Sequence, residues 1–277
     1  MTLVRQALVL LLAGFLATLA IFAGDEIPAA KNSLLSAIGK SSEKGSPLCP
    51  SDMIPVNTPE GILCVDRYEN STGKACPHQI PANQQQTQED ILWPECKPES
   101  IEGQAPWTNV ALHEATTLCA RVGKRLPTAL EWYRAALGTP DARAGGSPVC
   151  NIDAIGKDSP EMTGEFTQCL SSSGAYDMIG NVWEWVDENI SEGRYQDRAL
   201  PDPGYVTSVD QAGVPATVSE TPDPSFNGDY FWIEKTGLRG MFRGGFWGLG
   251  DKVGLYSVNA TIETSFSGNG IGFRCVK

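Results

Sequence analysis

The sequence predicts a loop-rich α+β domain, and three observations carry that expectation. Glycine and proline are abundant, 29 and 19 of 277 residues, and both suit turns, which favours short elements joined by many loops over a helical bundle. Hydrophobic residues make up 41% of the chain and aromatics 8%, enough to fill a core at this length. Short apolar runs that read as strands are accompanied by two stretches of helical periodicity.

In chain order, Arg5 precedes an apolar run from Ala7 to Ala23, which Gly24, Asp25 and Glu26 terminate. That is the outline of a secretion signal, and uncleaved it would serve as a membrane anchor. Residues 1–24 are read as signal peptide or signal anchor, 25–46 as a polar linker, and 47–277 as the globular domain. The expected location is secreted or periplasmic, or membrane-anchored on the extracytoplasmic side. Within the domain, Met53–Val56 and Ile62–Val65 read as two strands across a Pro/Gly turn. Leu112, Ala115, Leu118, Cys119 and Val122 fall on one helical face, and Gly123 stops that helix. Thr128 and Glu131 have capping-box spacing and open a second helix through Trp132, Ala135 and Ala136. Trp183 and Trp185 share one face of a strand while Glu184 points to the other. From Asp187 to Gly240 the chain is acidic and rich in Pro and Gly, and reads as a long connection, functional or disordered.

The formal net charge of −12 argues against nucleic acid and against an anionic membrane surface, and makes divalent cations better candidates. Membrane contact is expected only through the N-terminal segment. The eight cysteines all follow that segment, and an even count in an exported chain reads as disulfides.

Several ordered motifs are distinctive: Cys64-Val65-Asp66-Arg67-Tyr68-Glu69, Gly123-Lys124-Arg125-Leu126-Pro127-Thr128, the run from Gly174 through Asp177, Gly180-Asn181-Val182-Trp183-Glu184-Trp185, then Arg243-Gly244-Gly245-Phe246-Trp247 and Ile271-Gly272-Phe273-Arg274-Cys275. Together they resemble the formylglycine-generating-enzyme, or sulfatase-modifying-factor, family. The resemblance implies a fold related to the C-type lectin fold and a Cys119–Cys275 disulfide. Proximity in sequence adds Cys49–Cys64, Cys76–Cys96 and Cys150–Cys169. The resemblance also implies a structural calcium ion held by the side chains of Asp177 and Glu184 and the backbone oxygens of Gly180 and Val182.

Catalytic family members hold copper on two cysteines, and those positions fall here at Leu249 and Gly254. Neither residue offers the thiolate or thioether that Cu(I) requires, so no catalytic residue and no copper are expected. Iron is not expected either. Related sulfoxide synthases use a histidine cluster, and this chain has only His78 and His113. The expected role is therefore a non-catalytic binding or accessory protein with a peptide, protein or glycan ligand, contacted by Trp247, Asp251 and Tyr256. The alternative is a metal-dependent oxidoreductase, acting in protein cysteine oxidation or related non-haem iron chemistry, with an unrecognised ligand set.

Overall fold

Met53–Thr58 (β1) and Gly61–Asp66 (β2) pair antiparallel around a two-residue loop, with Thr58 opposite Gly61, as the two short apolar runs across a Pro/Gly turn predict. A disulfide joins Cys49 to Cys64 beside this hairpin. The computed structural model describes residues 48–141, 143–144, 147–153 and 159–277, so the signal or anchor segment and the linker lie outside the described residues. Two further small hairpins are Asn70–Thr72 (β3) with Pro98–Ser100 (β4), and Arg143–Ala144 (β5) with Ser147–Pro148 (β6).

The three α-helices among the described residues follow from three different local causes. Gln84–Leu92 (α1) has almost no apolar periodicity, and the sequence reading missed it. It is held by polar contacts: Asn83 caps its N-terminus, Gln84 and Gln88 donate to the buried Glu114, and Thr87 accepts from the Trp107 indole. Leu112–Arg121 (α2) is amphipathic as expected and buries Leu112, Ala115, Leu118 and Cys119. Ala129–Ala136 (α3) starts with the Thr128/Glu131 capping box, both of whose hydrogen bonds are formed, and buries Trp132. No helix among the described residues is long and apolar enough to cross a membrane.

The main sheet has nine strands. They are Trp183–Ser191 (β7), Arg194–Tyr195 (β8), Arg198–Ala199 (β9), Gly204–Val209 (β10), Pro215–Ser219 (β11), Tyr230–Ile233 (β12), Leu238–Arg243 (β13), Val258–Ala260 (β14) and Ile271–Gly272 (β15). The spatial order is β11-β10-β12-β14-β13-β7-β8-β9, and β15 also pairs with β7. Both β12–β14 and β15–β7 are parallel, while the other pairs are antiparallel. The segment from Asp187 to Gly240, expected to be a long connection, is instead folded into this sheet. Its strands are only two to six residues long between turns, too brief for periodicity to stand out from an acidic, Pro/Gly-rich background. Trp183, Glu184, Trp185 and Val186 are all buried, so the first half of β7 is covered on both faces.

The eight cysteines form four disulfides: Cys49–Cys64, Cys76–Cys96, Cys119–Cys275 and Cys150–Cys169. All four expected pairs are present. Cys119–Cys275 spans 156 residues and fastens α2 to the C-terminal segment. Replacing Cys119 and Cys275 together by alanine should lower unfolding free energy by about 2–5 kcal/mol, since closing a loop this long mainly restricts the unfolded chain. Urea midpoints of the two proteins under non-reducing conditions check this, and an unchanged midpoint would contradict it.

Candidate functional site

The motif residues converge on a buried polar network. Arg274 and Glu184 are 0% and 1% exposed. The Arg274 guanidinium donates to both Glu184 oxygens at 2.8 Å through Nε, and to Oε1 through Nη2. Its remaining donors reach the carbonyls of Asp66 (3.0 Å), Arg67 (3.3 Å) and Tyr176 (2.8 Å). Glu184 Oε2 accepts a further bond from the Trp132 indole at 2.6 Å. Glu69, also buried, accepts from the Asn181 side chain and the Val182 amide. Asp66 binds Lys124 at 2.6 Å, Asn70, and the Cys275 amide. One arginine and one lysine thus join β2, α3, β7 and the C-terminal segment.

Calcium was expected on Asp177, Gly180, Val182 and Glu184, and the donor set does not fit it. Calcium takes six to eight oxygens, yet both Glu184 oxygens are engaged by Arg274 and Trp132. Asp177 Oδ2 accepts from the Gly164 amide at 2.7 Å. Gly180 is fixed by backbone sterics, because at its φ of 76° a Cβ would lie 2.2 Å from the Asn151 carbonyl oxygen. Among the described residues no group of three or more His, Cys, Asp or Glu side chains is placed to hold a metal ion. The motif here is organised around an arginine.

The second region follows β13. Leu249 is half-buried and precedes the 3-10 turn Gly250–Lys252. Gly254 is buried, and a Cβ there would lie 2.0 Å from Asp141 Oδ2 and 2.3 Å from Asp229 Oδ1. Those carboxylates occupy the room that a cysteine side chain at 254 would need. Asp229 Oδ2 accepts from the Tyr256 amide at 2.7 Å, and Asp141 Oδ2 accepts from Asn227 at 3.0 Å. Of the three expected contact residues, Asp251 is exposed and Tyr256 is half-buried against Phe226 and Tyr133. Trp247 is 4% exposed and packs edge-on against Phe246, so it is a core residue and not a surface contact. Phe246 also borders a mostly apolar cavity of about 250 Å³ with Trp183, Phe242, Asn259 and Phe266. His78 hydrogen-bonds Asp90, and His113 is exposed on α2, so neither joins this region.

Asp141 and Asp229 were not singled out in the sequence, and Arg243 was quoted only as the first residue of a motif, with no role given to it. Asp229 lies in the acidic stretch where a solvated carboxylate is the ordinary expectation, yet it is fully buried. Arg243 is buried too, donating to the carbonyls of Ala212 and Leu255 with its guanidinium 4.8 Å from the Trp132 ring.

Burial sets the titration of both regions. Desolvation raises Asp141 to about 6, opposed by Asn227 and the Leu255 amide, and raises Asp177 to about 6, opposed by the Gly164 amide and Arg274. Glu69 and Asp229 are pushed well up by burial first and then by neighbouring carboxylates. A folded carboxyl whose pKa is raised contributes stability that is fully present below its ordinary value near 3.8 and is lost as pH rises through about 6. In EDTA-containing buffer, the urea midpoint should therefore fall as pH rises through about 6, and Asp141→Asn should remove part of that fall. A midpoint that climbs over this interval in the wild-type protein would contradict the assignment.

Residues 64–277 match the family described as FGE-sulfatase, sulfatase-modifying factor enzyme 1-like domain. A hercynine oxygenase of Mycolicibacterium smegmatis is 33% identical over 101 residues, covering 33% of this chain and 24% of that protein. The inactive C-alpha-formylglycine-generating enzyme 2 of Bos taurus is 27% identical over 139 residues, covering 43% of this chain and 46% of that protein. The matched segments span less than half the length of these relatives. Among solved structures, PvdO from Pseudomonas aeruginosa is similar with a TM-score of 0.44 at 18% identity, over 82% of this chain and 91% of that one. The match from Cys64 to Lys277 covers most of the chain, and this protein belongs to the FGE-sulfatase family.

Proposed function

We propose that this family member is an exported binding or accessory domain and not an oxidase of protein cysteine. The observation that carries this reading is the state of sulfur in the molecule. All eight cysteines are in disulfides, leaving no free thiol, and the two positions where catalytic relatives carry copper-binding cysteines are Leu249 and Gly254. Asp141 and Asp229 fill the space above Gly254, so the change is built into the surrounding packing. Four disulfides also suit an oxidising, extracytoplasmic compartment. In this reading the disulfides and the Arg274 network hold the fold, with no calcium ion at Asp177. The ligand is a peptide, protein or glycan, met by Asp251 and Tyr256 at the rim of the region after β13.

The similarity to hercynine oxygenases favours a second reading, an oxidoreductase with a different ligand set. It lacks a histidine cluster, since His78 and His113 are the only histidines and neither lies in the region after β13.

Purified protein supplied with copper, air and a cysteine-containing peptide should form no aldehyde. Thiol titration of the denatured, unreduced protein should find less than one thiol per chain. Aldehyde formation, or two titratable thiols, would overturn the reading.

A further inference from the structure

Asp141 follows α3 and Asp229 immediately precedes β12, yet their Oδ2 and Oδ1 atoms close on one point above Gly254. Asp229 is 0% exposed, and its Oδ1 meets no other donor among the described residues. An ionised carboxylate only accepts, so an acid proton is what joins the two side chains. The Asp229 carboxyl gives that proton and Asp141 accepts it. Without it, two carboxylates in contact repel each other.

The same pair fastens consecutive residues of the loop after β13. Asp141 accepts from the Leu255 amide, and Asp229 Oδ2 accepts from the Tyr256 amide at 2.7 Å. Neighbouring amides on one backbone cannot follow two acceptors that move apart, so separating the carboxyls breaks one tie or the other. The surrounding charges do not cancel a second ionisation. Arg243 on β13 acts on Asp229 but points its guanidinium at the carbonyls of Ala212 and Leu255. Asp251, on the 3-10 turn, adds negative charge beside Asp141, and Lys252 lies over the rings of Tyr230 and Tyr205. Asn227, which donates to Asp141 Oδ2 at 3.0 Å, is neutral, and Tyr133 and Tyr256 add hydroxyls without charge.

We infer that the proton shared by Asp141 and Asp229 is a latch on residues 250–257. With the proton in place, this loop is pinned both to the start of β12 and to the segment after α3. With it gone, the two charged carboxyls part and the loop comes away at Leu255 and Tyr256. The latch is closed in acid and opens in base, because a bond made by the protonated form of a group whose folded pKa is raised is lost as pH rises. The pair titrates in two steps, and opening belongs to the higher one, since Asp141 in its ionised form still accepts the proton. The latch stands on this geometry alone. Its use, to control access to Asp251 and Tyr256, rests on the binding role proposed above.

Lys252 is exposed within this loop, so trypsin cleavage after it, located by mass spectrometry, reports opening in the intact chain without any ligand. Dividing by the rate on a short unstructured lysine peptide at the same pH removes the protease's own pH dependence. From about pH 6 to about pH 9 the wild-type rate should rise, by up to about tenfold per pH unit where opening releases one proton. Cleavage after Lys235, exposed between β12 and β13, should not rise with it. Asp229→Asn puts an amide N–H where the acid proton sits, so the bond to Asp141 survives at every pH and the rate should stay low and flat. Asp141→Asn should do the same with its own amide donating to Asp229, and it decides if Asp229→Asn fails to fold. A wild-type rate that ignores pH overturns the inference. So does a rise that persists in the asparagine variants, or one shared equally by Lys235.

Discussion

The ion pair between Arg274 and Glu184 is the constraint on which the rest of the structure depends. A guanidinium removed from water is tolerable only if its donors are satisfied, and here they meet two carboxylate oxygens and three backbone carbonyls. Those carbonyls belong to Asp66, Arg67 and Tyr176, so one side chain fixes the end of β2 and the loop before β7. Glu184 in turn receives the Trp132 indole and so positions α3. An apolar pair of similar volume could fill the space but could not satisfy the three carbonyls.

Most of the motif residues meet in this one network. Asp66, Glu69, Lys124, Asn181, Glu184 and Arg274 all lie in the framework and not at an open reaction site. Beside Gly254, Asp141 and Asp229 occupy the volume that a side chain there would need.

Much of the framework was legible in the sequence because its signals are local. The Thr128/Glu131 capping box, the apolar face of α2 and the β1–β2 hairpin each need only a few neighbouring residues to be recognised. The cysteine pairs with short separations were legible for the same reason, whereas Cys119–Cys275 was reached through family resemblance. Helix α1 was missed because glutamines docking on Glu114 hold it, an interaction that leaves no periodic apolar trace. The strands between Asp187 and Gly240 were missed because each is too short to outweigh its turns. At the site, Asp177 and Glu184 were identified, but the Arg274 partner of Glu184 was not. Arg274 lies 90 residues from Glu184, and no local pattern announces that meeting. Trp247 was expected to contact a ligand because the family resemblance places its segment at the active-site cleft, whereas tertiary packing buries it.

A double-mutant cycle on Arg274→Gln and Glu184→Gln tests the framework most directly. Each single substitution leaves an uncompensated buried charge and should lower unfolding free energy by about 3–5 kcal/mol. The double variant should lose about 2–3 kcal/mol less than the sum of the two single losses, the upper end of coupling between residues in contact. Strictly additive losses would show that the two side chains act independently, and would contradict the account.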